Sequence, residues 1–381
     1  MNDNQRRMMI LSALTLAFWM PGYFYVQILP GYVQHLGGAL AMVGVVGGAY
    51  GLTQALLRIP AGIGSDRLSR RKPFIAVGFV AGILTNLIFL TAASPWQLFW
   101  GQAMAGVLAT NWVALTVFAA GWVAPDQVTR TMGYLFAINN IAQLVAGSSG
   151  ALLTAWWGWH APFWAGLIVS LLGLIILKFT GKEAEPAKER LTVGSLLAVS
   201  RNRSVWLASL LGILVQYGPW ALLSFSPVVA RQLGAGHAQL GWLSLFSAGA
   251  TILASYLAGT VNGRLGRRST LLSGMGVMIL GLLVLPSVNA FWQLCLVLAA
   301  VGAGRGILLP SLMGYCQSEV SGSMKATAMG FFQALYAVGM FLGPTVTGLI
   351  SDRFGMGAAF YLAAGLLLVP VAWLTVKRQA V

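Results

Sequence analysis

Two arginines stand where arginine is costly. Arg58, in LLRIPAG, and Arg305, in VGAGRGILLP, each sit inside a long apolar run, whereas the eight acidic residues all fall in or beside the gaps between such runs. A guanidinium grips a carboxylate, phosphate or sulfonate through two parallel hydrogen bonds. An arginine with no acid at its own depth therefore points to anion binding. Arg58 precedes Gly64 by six residues, about 9 Å along a helix at 1.5 Å per residue. From there its side chain reaches the polar surface, with Asp66 or Asp126 as candidate partners, and a structural role is favoured. Arg305 lies about 15 Å from the nearer end of its run, too deep to reach out. Its two readings are a counter-ion supplied by a substrate, and a guanidinium satisfied by backbone carbonyls and water.

The uncharged groups near the middles of the same runs are Tyr23, Asn111, Trp112, Asn140, Gln143, Gln216, Tyr217, Trp220 and Tyr336. Amides orient a polar solute and rings give it flat walls, so these are the candidate binding residues around Arg305; the alternative for each is a bond or contact between helices. No metal site is expected. His35, His160 and His237 fall in separate connections without a neighbouring acid or cysteine, and Cys295 and Cys316 stand about 31 Å apart along one helix, too far for a disulfide. No phosphate-cradling glycine loop followed by Lys-Ser/Thr occurs, and no nucleophile, acid/base pair or metal cluster lies within the apolar runs. No cofactor and no enzyme activity are expected.

Composition sets what must position these residues. Of 381 residues 58% are hydrophobic and 8% charged, against about half and about a quarter in soluble domains, and mean hydropathy is +0.79. The chain reads as a membrane protein. Its net charge of +15 does not point to nucleic acid, because the cations sit in short gaps and not on a folded polar surface. Runs of the roughly 20 residues that a bilayer requires fall at about 8–30, 41–64, 73–92, 96–121, 132–154, 161–180, 204–230, 239–261, 269–288, 291–315, 326–350 and 358–376. An all-α protein of twelve transmembrane helices is expected. With the N-terminus inside, nineteen Lys and Arg fall in cytoplasmic segments and only Arg231 and Arg353 in outer ones. Positive loops stay cytoplasmic, so both termini are placed there.

The chain also repeats at a separation of 197 residues. GIGSDRLSRR from Gly62 returns as GTVNGRLGRR from Gly259, TMGYLF as AMGFFQ, and WWGWHAPFW as RFGMGAAFY, which pairs Gly158 with Gly355. Such a parallel repeat predicts two six-helix halves, residues 1–180 and 204–381, related by a pseudo-two-fold, with a binding site at their junction near mid-membrane. Residues 181–203 form the cytoplasmic linker, where Thr192 to Val199 suits a short helix on the membrane surface.

Twelve spans, two halves and GIGSDRLSRR between spans 2 and 3 resemble the major facilitator superfamily, over nearly the whole chain. Its loop pattern is matched by Gly62, Asp66, Arg67, Arg70 and Arg71, with Ser69 at a usual glycine, and again by Gly259, Arg264, Gly266, Arg267 and Arg268, with Gly263 replacing the acid. The resemblance implies a secondary or facilitative transporter working by alternating access, with spans 1, 4, 7 and 10 around a cavity that Arg305 faces. It also implies a cytoplasmic gate built from Gly62, Asp66, Arg67, Arg70, Arg71, Arg264, Arg267 and Arg268; the simpler reading of these cations is that they fix topology and meet anionic lipid. Gln102 stands where drug and proton antiporters often carry arginine, and span 5 lacks the antiporter proline. The expected substrate is a small organic solute, anionic ahead of neutral or amphiphilic; the alternative is an exporter of drugs or metabolites. A monomer in the cytoplasmic (inner) membrane bilayer is expected, with or without a coupling ion.

Overall fold

The computed structural model describes residues 3–68, 70–123, 127–181, 193–318, 320–321 and 324–376. In order along the chain come α1 (Asp3–Tyr23), α2 (Leu29–His35), α3 (Leu40–Leu68), α4 (Lys72–Leu90), α5 (Pro95–Thr110), α6 (Trp112–Ala120), α7 (Val128–Trp157), α8 (Ala161–Lys178), α9 (Val193–Ser200), α10 (Arg203–Gln232), α11 (Leu240–Val284), α12 (Phe291–Ser318) and α13 (Lys325–Val376). No strand occurs among the described residues. A lipid core offers no water to backbone N–H and C=O groups, so apolar chain crosses it as helix, each bond closed within its own segment.

Among the described residues, nine helical segments are long and apolar enough to cross a bilayer. Two of them, α11 and α13, make two passes each, because Gly266 (φ 75°) and Gly355 (φ 82°) break the helical geometry between them. With α1 this gives the twelve expected passes. Positive φ is open to glycine for want of a Cβ, and its positions repeat. Gly158 and Gly355 share it at 80° and 82°, and Gly37 and Gly234, likewise 197 residues apart, at 85° and 83°.

Two runs differ from their sequence reading. The first, expected as one span over 8–30, ends as helix at Tyr23; Pro30 in the first turn of α2 begins a new helix, the position where proline's fixed φ and missing N–H cost least. The fourth, expected over 96–121, is broken at Asn111, whose side-chain amide donates to the Val107 carbonyl at 2.9 Å, a local bond that competes with the helix. In the linker the expected short helix forms as α9, with Val199 buried and Leu197 exposed; Thr192 lies outside the described residues.

The buried core lies in two parts. One, around Phe18, Phe79, Trp112, Leu115 and Trp122, joins α1, α4, α6 and the inner end of α7; the other runs through α10–α13 and the outer ends of the first six passes. Trp96, Trp156 and Trp157 are exposed at outer helix ends, where an interfacial belt is expected. Trp159, next along the chain, is packed. Tyr32 and His35 stack on it, and His237 meets it edge-on at 4.8 Å. His237 is thereby held below the usual histidine pKa, first by burial and then by the charge of Arg231.

The first and last six passes are joined at their outer ends. On one side α3 crosses α13 backbone to backbone: a Cβ on Gly348 would stand 2.6 Å from the Leu40 carbonyl oxygen, and one on Gly44 would collide with that of Pro344. Small residues permit such an approach, and close packing rather than water exclusion drives helix association in lipid. There the Ala41 N–H donates to Asp352 Oδ2 at 3.0 Å. On the other side, Ser148 Oγ donates to the Gly241 carbonyl at 3.2 Å and Gln27 Nε2 to Ser244 Oγ at 2.8 Å. The interior is thus closed at the end that carries His35 and His237. Toward the opposite end, a Cβ on Gly133, Gly259 or Gly330 would meet only open space.

Candidate functional site

Arg305 owes its direction to the glycines around it. A Cβ on Gly304 would stand 2.5 Å from Met278 Cγ, and one on Gly306 2.5 Å from the Thr251 carbonyl oxygen. Thr251 Oγ1 and Ser255 Oγ donate to the Gly302 and Gly306 carbonyls, both at 3.0 Å. The segment GAGRG thus seats α12 against both passes of α11. Successive residues turn by about 100°, so Arg305, between two seated neighbours, points away from α11 toward α10. There its Nε donates to Gln216 Oε1 at 3.1 Å. Gln216 is 1% exposed, so this acceptor is held in the packed interior.

Tyr23, Tyr336 and Tyr50 all lie within electrostatic reach of Arg305, from α1, α13 and α3. Tyr23 donates to Asn139 Oδ1 at 3.3 Å and stacks on Trp19 with centroids 5.9 Å apart. Tyr50 stacks on Trp220 of α10 at 5.2 Å and 20° between planes, a contact between first and last passes.

Arg58 belongs to the same assembly, against its sequence reading. It is 5% exposed and does not turn to the inner surface. Its Nη1 donates across to α13, to the Gln333 carbonyl at 3.4 Å and to the Tyr336 hydroxyl at 3.3 Å, with the guanidinium 5.9 Å from the Tyr336 ring centroid. Tyr50, Gln54 and Arg58 recur every fourth residue and so share one face of α3. No carboxylate pairs with Arg58 or Arg305 among the described residues.

Of the residues expected around Arg305, Gln216 binds it, Tyr23 and Tyr336 lie within its electrostatic reach, and Trp220 meets only Tyr50. Asn140 and Gln143 are half-buried on α7, and it is the adjacent Asn139 that binds Tyr23. Asn111 is taken up at the α5–α6 break, and Trp112 packs against Phe18 and Trp19 at 6.0 and 5.2 Å. Tyr217 turns toward Thr347 of α13. Sequence reasoning missed Tyr50, Gln54, Asn139 and the inward direction of Arg58. The polar stripe at every fourth residue in YGLTQALLR was the available signal.

The residues of the expected gate lie at the end of the bundle opposite His35 and His237. The Asp66 side chain and Ser69 lie outside the described residues. Gly62 is part-exposed on α3, and Arg67, Arg70 and Arg264 are exposed. Arg71 donates to Ser65, Lys72 Nζ to the Thr180 carbonyl at 2.8 Å, Arg267 sits 4.8 Å over the Tyr315 ring, and Arg268 donates to the Leu374 and Thr375 carbonyls at 2.8 and 3.1 Å. Each of these contacts stays within the first or the last six passes.

Comparison with known proteins agrees with this architecture. The family model of the Major Facilitator Superfamily matches residues 9–230 and again 205–380. The inner membrane transport protein YajR of Escherichia coli K12 is 24% identical, over 99% of this chain and 84% of its own length, and the class C tetracycline resistance protein of Escherichia coli is 22% identical, over 97% and 96%. Multidrug resistance protein MdtG of Citrobacter koseri is 24% identical, over 92% and 90%. Among solved structures, the nucleoside transporter NupG superposes with a TM-score of 0.79 at 16% identity, covering 99% of this chain and 100% of that one. The human organic anion transporter MFSD10 superposes at 0.72 with 18% identity, covering 98% and 100%. With twelve passes around a buried polar centre, and a family match that runs through nearly all of them, the chain belongs to the Major Facilitator Superfamily and is a transporter, not an enzyme.

Proposed function

We propose that this transporter moves a small organic anion across the inner membrane by alternating access, as a monomer with both termini cytoplasmic, residues 1–180 and 204–381 acting as its two halves around the linker 181–203. The observation that carries this reading is Arg305, bound by the Gln216 amide and within electrostatic reach of three phenols, with no carboxylate partner among the described residues. Charge inside a membrane is costly and is kept where it works. An anion entering from water supplies the missing partner with a bidentate fit. The cytoplasmic gate is part of this proposal: the contacts that Arg71, Lys72, Arg267 and Arg268 make here lie within their own halves, and the loop cations would join across the seam when the outer ends part. Placement in the inner membrane is supported by the name of the YajR relative.

A second reading, export of neutral or amphiphilic compounds, is favoured by the stacked pairs Trp19–Tyr23 and Tyr50–Trp220 that line the same centre and by the drug-resistance names of two relatives. Substitution of Arg305 separates the two. For an anion, Arg305→Lys keeps the charge and loses the planar fork, so affinity falls but survives. Arg305→Ala removes a charged hydrogen bond worth about 1.5–3 kcal/mol, roughly a tenfold to hundredfold loss. The measurement is affinity in folded, monodisperse protein for an anionic solute and its uncharged analogue. Equal anion affinity in Arg305→Ala and unsubstituted protein would leave the amphiphile reading standing.

A further inference from the structure

Arg305 is not the only cation at this centre, and Arg58 is the more deeply buried of the two. Arg58 Nε has no hydrogen-bond partner among the described residues, and its Nη1 contacts, at 3.3 and 3.4 Å, are long. One helical turn away on the same face of α3, Gln54 is 2% exposed and its Nε2 also lacks an acceptor there. A buried donor left unpaired costs its full desolvation, and two neighbouring donors without acceptors mark a place that an acceptor-bearing group would complete. Tyr336 stands between the two cations: its hydroxyl accepts from Arg58 and lies within electrostatic reach of Arg305. One negative group can pair closely with only one of the two guanidiniums.

We propose that Arg58 and Gln54 form a second anion subsite, so that the substrate carries two acidic groups, one at Arg305 and Gln216 and the other at Arg58 and Gln54. This rests on the anion reading and narrows it to organic dianions, a class that includes dicarboxylates and phosphorylated hydroxy acids. The subsites belong to different sets of passes, Arg58 to α3 and Arg305 to α12. A dianion would therefore link the first six passes to the last six from within, where a monoanion engages one side.

The test uses the purified full-length protein and a panel of straight-chain dicarboxylates, benzene dicarboxylates and phosphorylated hydroxy acids, each beside its half-ester. Affinity is read by titration. The unsubstituted protein is expected to prefer at least one diacid over its half-ester by about tenfold or more. Arg58→Gln should bring that ratio close to one, and Gln54→Leu should lower it several-fold; the second variant keeps the test open if the first does not fold. Arg305→Gln should weaken diacid and half-ester together. A ratio near one in the unsubstituted protein overturns the second subsite, as does a ratio that neither α3 substitution changes. If half-esters bind as well as diacids and Arg305→Gln still weakens both, the anion reading stands without the inference. If no member of the panel binds, both fall.

Discussion

Gln216 holds the state of Arg305 in balance. An amide oxygen accepts the Nε proton at 3.1 Å but brings no charge, so the guanidinium is hydrogen-bonded and still unneutralised. Two substitutions should part these roles. Gln216→Leu leaves the Nε proton without its acceptor and should lower stability by about 1–3 kcal/mol, seen as a fall in melting temperature. Gln216→Glu puts a carboxylate against the guanidinium and competes with the ligand. Anion affinity should then drop by about tenfold or more while stability is kept or raised, since the pair is charged and hydrogen-bonded. An anion affinity unchanged by Gln216→Glu would mean that Arg305 does not face the ligand.

At the scale of elements, the outer closure rests on how α3 meets α13. Gly44 and Gly348 allow the backbones to touch, and Asp352 places its carboxylate on the N-terminal N–H of Ala41. Partial positive charge at a helix N-terminus attracts an anion by about 0.3–1 kcal/mol. Asp352→Asn keeps the shape and removes the charge, so the outward-open population should rise roughly twofold to fivefold, as RT is about 0.6 kcal/mol. Gly348→Val would act more strongly, because a side chain there meets the Leu40 carbonyl. Both are measurable by labelling a cysteine introduced at the outer end, against a low background, since Cys295 and Cys316 are buried. Labelling that does not increase in either variant would remove this crossing from the outer closure.

For the whole molecule, the charge asymmetry sets the orientation to be tested. Reporter fusions truncated after Lys72, Ser200 and Arg268 should report the cytoplasm, and fusions after His35 and His237 the outside. An outside signal after Arg268 would contradict two halves inserted in the same direction. The matched positive-φ glycines, Gly37 with Gly234 and Gly158 with Gly355, put turns at corresponding points of both halves and support the same orientation.

How many times the chain crosses, and where, was legible in the amino-acid order. Bilayer thickness fixes the length of an apolar run, and glycine and proline mark its breaks; even the short helix α9 could be read. Arg305 also stood out, because a lone cation deep in an apolar run has no bland surroundings to hide in. Which way each helix is turned about its axis was settled by packing. A soluble helix announces its inner face by an apolar stripe, but a span wrapped in lipid is apolar all round, and its faces differ by little more than side-chain size. Hence Arg58 read as a residue bound for the surface until Gly44, Gly48 and Gly51 were seen lying against α13. Their close approach turns Tyr50, Gln54 and Arg58 toward the centre. Asn111, by contrast, sat at the right depth and was used by its own backbone.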